Sequence, residues 1–252
     1  MTARKVHVIK VGGNELDIPG FAAAFASAVA AVCRRGERPV VVHGGGKELT
    51  ELLDALNIPA RFVDGLRVTD ARTRDAALMV LSGLANKRLV AALRAHGLDA
   101  LGVSGVDGEL VQVVPIAPEL AYVGKPSLVR AALIANWLAQ GLTPVIAPMS
   151  LGLDGEVYNV NADHVAGAVA AALKADLLTF ITNVVGVLDA NRIPISRLTA
   201  AEAETLIATG VVTGGMIPKV RTALEALHAG VPRVRITNLD GLAQDHGTTF
   251  VE

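Results

Sequence analysis

Two glycine clusters follow apolar runs of strand type, and both are placed where a phosphate would bind. Val6-His7-Val8-Ile9-Lys10-Val11 runs into Gly12-Gly13, and Pro39-Val40-Val41-Val42-His43 runs into Gly44-Gly45-Gly46. Glycine at the carboxyl end of a strand, opening into a helix, lets main-chain N–H groups approach an anion and turns the positive end of the helix dipole toward it. Either cluster alone reads first as a plain strand-to-helix turn, since glycine is the default residue there; it is the pair that shifts the balance. Lys10 adds weight to the phosphate reading. An ammonium inside a Val/Ile strand is costly to bury unless it meets an anion, and open α/β sheets gather functional groups at the carboxyl ends of their strands.

Two further segments carry polar groups into helix starts. In Tyr158-Asn159-Val160-Asn161-Ala162-Asp163-His164, an extended stretch puts Asn159 and Asn161 on one side, and Asp163 falls in the first helical turn, where the dipole favours its ionised form. An anionic Asp163 can hold lysines in place; simple capping by Asn161 and Asp163 is the alternative. His164 is not paired with Asp163 as a catalytic base, since adjacent helical residues diverge. In Thr213-Gly214-Gly215-Met216-Ile217-Pro218-Lys219 two glycines run into a helix with an early proline, which sets Lys219 near a positive dipole end, a place that suits a lysine only if an anion sits there too. Neither the P-loop nor the Gly-x-Gly-x-x-Gly spacing is present.

These groups need a scaffold, and the rest of the chain describes one. Strands are predicted over 5–11, 39–43, 99–103, 143–147, 176–182, 233–237 and 248–251, with helices over 19–35, 46–56, 70–96, 127–140, 162–174, 199–209 and 215–229. Short strands near 109–114 and 120–123 interrupt the rhythm, and a hairpin-like stretch spans 61–69. Alternation of this kind specifies an α/β fold with a parallel sheet. At 252 residues the chain can form one large domain or two lobes on one sheet. Its 52 % hydrophobic content with only 3 % aromatics points to small-residue helices on Val/Ile strands and away from base-stacking platforms. A net charge of −1 without a basic run argues against nucleic-acid or membrane-surface partners. Phe21–Cys33, read as the most apolar stretch, is 13 residues, short of the ~20 a bilayer requires, and no signal peptide can be drawn, so a cytoplasmic location is expected. The single cysteine, Cys33, precludes an internal disulfide or a cysteine-based zinc site and reads as a packed apolar residue.

Lys10-Val11-Gly12-Gly13, His43-Gly44-Gly45-Gly46, Gly65-Leu66-Arg67-Val68-Thr69-Asp70, Asn86-Lys87, Asn159-Val160-Asn161-Ala162-Asp163 and Gly214-Gly215-Met216-Ile217-Pro218-Lys219 resemble, in order and spacing, the N-acetylglutamate kinases of the amino acid kinase family. The resemblance runs from about residue 5 to 230. It implies a three-layer αβα sandwich with a mainly parallel central sheet, of the carbamate kinase type, in which residues 1–174 bind the amino acid and 175–252 bind ATP. The implied reaction is ATP-dependent phosphorylation of the side-chain carboxylate of N-acetyl-L-glutamate, the second step of arginine biosynthesis. By position, Lys10 and Lys219 stabilise the transition state and Asp163 orients them, while Gly45, Gly46, Arg67, Asn159 and Asn161 hold substrate. The nucleotide lies against Gly12, Gly13, Asn183, Val184, Val185, Gly186, Val187, Leu188, Val211, Val212 and Thr213, with Mg²⁺ on its phosphates and no dedicated protein metal cage.

Two rivals remain at this stage: a kinase for aminoadipate or glutamate borne on a carrier protein, and a non-catalytic amino-acid or nucleotide sensor of the same fold. The intact Gly65–Asp70 segment disfavours the first, and the joint presence of Lys10, Asp163 and Lys219 the second. Asn183 stands where the family usually has Asp, and the stretch from Ile236 to Thr248 departs from its pattern. The first strand is expected to start near Lys5, leaving too few preceding residues for the interlacing helix of hexameric members. A homodimer without cooperative inhibition by arginine is the corresponding expectation.

Overall fold

The computed structural model describes residues 4–16 and 18–252. β1 (Val6–Val11) enters the short α1 (Gly13–Leu16) and then α2 (Phe21–Arg34), and β2 (Arg38–His43) enters α3 (Gly46–Ala55). A hairpin of β3 (Phe62–Val63) and β4 (Leu66–Arg67) leads to one long helix: α4 (Ala71–Ala77), a π-helical middle (Leu78–Ala85) and α5 (Asn86–Ala95). There follow β5 (Ala100–Ser104), β6 (Val111–Pro115), β7 (Gly124–Val129), α6 (Ala131–Ala139), β8 (Thr143–Ala147), β9 (Met149–Gly152), β10 (Val157–Asn159) and α7 (Ala162–Leu173). The last third comprises β11 (Leu177–Ile181), β12 (Arg197–Thr199), α8 (Ala200–Ala208), α9 (Met216–His228), β13 (Val234–Thr237), α10 (Leu239–Gln244) and β14 (Thr248–Val251).

The central sheet has eight strands in the order β12-β14-β13-β11-β1-β2-β8-β5, and among the described residues all its pairs are parallel but β13 with β14. Period-two alternation sorts its side chains. Val8, Val40, Val42, Leu178 and Ile236 pack on one face with Val165 and Val169 of α7 and Leu224 of α9. Ile9, Val11, Val41, Val145 and Ile181 pack on the other with Phe25 and Val29 of α2, Leu89 and Leu93 of α5 and Leu242 of α10. The result is the expected αβα sandwich. Strand order reverses direction at β1: the first half of the chain builds outward on the β2 side and the second half on the β11 side. Crevices for ligands form at the carboxyl ends of strands at such a switch point.

Several local expectations change. Residues 127–129, expected to open a helix, belong to β7, which pairs antiparallel with β6 across a bulge at Gln112/Val113; α6 starts only at Ala131. Partner strands outside the segment thus override its apolar, helix-like pattern. The expected strand near 120–123 is a 3₁₀ turn, Pro118–Leu120, followed by isolated bridges. A second, four-stranded sheet, β10-β9-β6-β7, includes the unforeseen β9. α10 arises in the divergent C-terminal stretch, where the Asn238 side chain accepts a hydrogen bond from Gly241 N and caps the helix. Beside the shorter apolar helix that holds Phe21–Cys33, the 25-residue helix Ala71–Ala95 contains an 18-residue stretch of mean hydropathy 1.4, long and apolar enough by composition to cross a membrane. Here its Ala77, Val80, Leu81, Leu89 and Leu93 are buried within the protein.

His43, the last residue of β2, is wholly buried, and burial, aided by the Lys87 charge and opposed by a hydrogen bond to Gly44, lowers its pKa from 6.5 to about 4. The unfolded chain takes up this proton at its ordinary pKa and the fold resists until about 4, so stability is lost as pH falls through that interval. Between pH 7 and pH 4 the protein is expected to lose about 3 kcal/mol more than a His43→Asn variant, measured by urea denaturation. Parallel pH profiles of the two proteins would contradict this.

Candidate active site

Lys10 lies on the same face of β1 as Val8, the face covered by α7 and α9, and those two helices supply the remaining charged groups. Lys10 Nζ is 2.8 Å from Asp163 Oδ1, with side chains 16 % and 28 % exposed, so the pair is largely desolvated yet open to a ligand. Asp163 stands in the first turn of α7, whose cap is the Asn161 side chain accepting from Asp163 N at 2.8 Å. Lys219, in the first turns of α9, joins Lys10 and Asp163 in lining one cleft of about 170 Å³, together with Glu15, Phe180, Thr182 and Pro218. Asp163 therefore holds Lys10, whereas the hydrogen-bond partner of Lys219 among the described residues is Asn183 Oδ1, at 3.5 Å. Two ammonium groups converging on one cleft are suited to an anion whose charge is shared between them.

The two glycine turns meet beside this cleft. A Cβ on Gly13 would stand 2.7 Å from Gly45 N and 2.6 Å from Gly46 N, and one on Gly44 would stand 3.1 Å from Gly13 N. Gly13 is thus required by the approach of another main chain. Gly13→Ala is expected to destabilise by ~1–3 kcal/mol through overpacking against backbone. Gly46→Ala, whose Cβ would meet nothing within 4 Å, is expected to be neutral or to gain ~0.5–1 kcal/mol from helix propensity. Thermal denaturation of the pair checks the opposite signs.

On the other side of Gly46 lies a cleft of about 190 Å³ that brings together Gly46, Arg67, Asn159 and Asn161 with Phe62, Gly65, Leu66, Val123 and Val160. Arg67 reaches it from the hairpin. Its Nη2 donates to Thr50 Oγ1 at 2.7 Å and to Gly46 O at 3.1 Å, and its guanidinium stacks 4.7 Å from the Phe62 ring centroid. Arg67 Nη1 is buried with no hydrogen-bond partner, and burial draws the pKa of the group below the ordinary arginine value. A buried cationic donor without a partner is costly, and a carboxylate in this cleft would relieve it. Asn159 Nδ2, across the cleft, donates to Thr69 Oγ1 at 3.2 Å.

A third cleft, about 410 Å³, is formed by Asn183, Val184, Val185, Gly186, Val187, Leu188, Val211, Val212 and Thr213, with Met216. Its apolar walls suit a flat ring, and Asn183 connects it to Lys219 in the lysine cleft. Gly186 has φ +151° and packs against Thr248, so the divergent C-terminal stretch supports this wall. Gly12 and Gly13, expected to touch the nucleotide, lie at the end of β1, Gly12 beside the Glu15 side chain and Gly13 against the second glycine turn. Among the described residues no group of three or more His, Cys, Asp or Glu side chains is placed to hold a metal ion.

Thr50, Phe62, Glu15, Thr182 and Met216 were not singled out from the sequence. Thr50 had a trace there, four residues after Gly46 on the same helix face; the others are placed by tertiary packing alone.

Comparison with known proteins agrees with this geometry. The model of the amino acid kinase family matches residues 5–238. An acetylglutamate kinase of Roseiflexus sp. (strain RS-1) is 53 % identical over 251 residues, covering 98 % of this chain and 94 % of the relative. Among solved structures, a protein of Streptococcus mutans UA159 superposes with a TM-score of 0.81 at 31 % identity, covering 98 % of each chain. The carbamate kinase of Giardia shares the fold, with a TM-score of 0.75 at 16 % identity over 99 % of each chain. With β1 at the switch point, paired lysines in one cleft and a family match along nearly its whole length, the chain belongs to the amino acid kinase family.

Proposed function

We infer that this chain is an acetylglutamate kinase, transferring the γ-phosphoryl group of ATP to the side-chain carboxylate of N-acetyl-L-glutamate in arginine biosynthesis. Support comes from the naming of relatives such as those of Roseiflexus and Geobacillus stearothermophilus, 53 % and 46 % identical over nearly the full chain. The observation that carries the reading is the buried, unpartnered Nη1 of Arg67, a carboxylate-seeking group next to the glycine turns. As a kinase the chain uses ATP. A carboxylate is already ionised at pH 7 and needs no general base: its oxygen attacks phosphorus, the bond to the β-phosphate oxygen breaks, and ADP leaves. Bringing two anions together is then the main obstacle. Lys10, held by Asp163, and Lys219 neutralise the phosphoryl oxygens in flight, the N–H groups of the glycine turns add donors, and Arg67 and Asn159 hold the amino acid.

The lobes follow the clefts, residues 1–174 taking the amino acid and 175–252 the nucleotide. Mg²⁺ belongs to the same proposal. Glu15 and Asp163 are the carboxylates of the lysine cleft, so phosphates and water would supply most of its ligands, as this ion prefers. When bound it neutralises charge on the phosphates. A cytoplasmic homodimer completes the reading; the exposed Leu78 (37 %), Met79 (65 %) and Leu84 (44 %) on the longest helix offer an apolar contact, and light scattering checks it. A coupled ADP-release assay with free N-acetylglutamate tests the activity. Release dependent on that substrate is the expected result; release only with a carrier-protein conjugate, or none, would replace the reading with one of its rivals.

A further inference from the structure

The mechanism above leaves His43 unused, although it is the wholly buried residue from which the second glycine turn departs. Its Nδ1 lies 2.8 Å from Gly44 O and its Nε2 lies 3.1 Å from Asn86 Nδ2. A carbonyl oxygen only accepts and an amide nitrogen only donates. One neutral tautomer satisfies both contacts: Nδ1 carries the proton and donates to Gly44, and Nε2 accepts from Asn86. The orientation of the Asn86 amide is itself determined by its surroundings. Its nitrogen faces Val145 O at 2.9 Å and Val103 O at 3.3 Å, and its oxygen accepts from Lys87 Nζ at 2.9 Å, an ammonium that also reaches Gly102 O at 3.0 Å. Burial keeps the imidazole uncharged at neutral pH, consistent with the single proton this arrangement needs.

The consequence reaches the phosphate-facing main chain. Gly44 N donates to Val11 O at 2.9 Å, and Gly44 O accepts from His43, so both polar groups of this residue are engaged below the turn. Across a trans peptide the carbonyl and the next N–H point in opposite directions. Holding Gly44 O therefore turns the Gly45 N–H away from His43, to the side where Gly13 closes in. Three glycines in succession have no side chains to set their peptide planes, and without such an anchor the turn would sample several orientations.

We propose that His43 is a positioning residue for phosphoryl transfer: by holding the Gly44 carbonyl, with its tautomer set by Asn86, it presents the Gly45 N–H to the phosphoryl oxygens. This rests on the kinase activity inferred above. The test compares two amide substitutions. In His43→Asn the side-chain amide reaches the place of Nδ1 and keeps a donor for Gly44; in His43→Gln it extends to the place of Nε2 and leaves Gly44 O without one. Expected is a loss of kcat of ~10²-fold in H43Q relative to H43N, as for removal of one oxyanion donor, with KM for both substrates little changed. A residue that merely fills buried polar space would favour Gln, the closer in size. Equal kcat values, or a difference confined to KM, would overturn the proposal. If either variant does not fold, nitrogen NMR of wild-type His43 decides: Nδ1 protonated at pH 7 is expected, and a protonated Nε2 overturns it. Wild-type protein in the same assay separates the two readings, because absence of N-acetylglutamate-dependent turnover there defeats the activity itself and this role with it.

Discussion

Lys10→Ala is expected to lower kcat by ~10²–10³-fold, about 3–4 kcal/mol, while leaving KM for both substrates within a few-fold. The ammonium stands 2.8 Å from Asp163 in a cleft it shares with Lys219, and only 16 % of its side chain is exposed. Its attraction to the phosphoryl oxygens grows as the transferring group loosens from ADP, so the loss falls on the transition state more than on bound ATP. Folding is not at stake to the same degree: the carboxylate of Asp163 retains 28 % exposure and can be solvated when its partner is removed. Steady-state kinetics with thermal denaturation as a control separate the two effects. Turnover within a few-fold of wild type would remove Lys10 from the chemistry.

Arg67→Lys is the second large effect and should appear in the other kinetic constant. Lysine keeps the charge but offers a single point of contact where the guanidinium now uses Nη2 for Thr50 and Gly46 and leaves Nη1 free for a ligand. KM for N-acetylglutamate is expected to rise by ~10–10²-fold, corresponding to the 1.5–3 kcal/mol typical of hydrogen bonds to charged groups, with KM for ATP unchanged. A rise in KM for ATP instead would mean that the clefts are assigned the wrong way round.

Much of the fold was legible in the chain because its signals are local. Val/Ile runs ending in glycine marked β1 and β2 as buried parallel strands, and the helix expected over 70–96 does begin next to Asp70, whose side chain accepts from Thr73 N. Residues 127–129 were not legible, since an apolar segment takes the conformation its neighbours can pair with, and β6 lay outside the window that suggested a helix. The π-helical middle of Ala71–Ala95 had no local marker either.

For the site, the sequence by itself determined the chemistry on offer: two lysines beside glycine-rich helix starts, an aspartate in a first helical turn, and an arginine within a polar hairpin. These follow from residue type and from positions within single elements. Only the tertiary structure decided the partners. Asp163 meets Lys10 because strand alternation puts that lysine on the face covered by α7, while Lys219 came to rest by Asn183 because α9 and the turn after β11 share the same end of the sheet. Strand order and helix packing join residues far apart in the chain, and distances between such elements are not encoded in the spacing within any one of them.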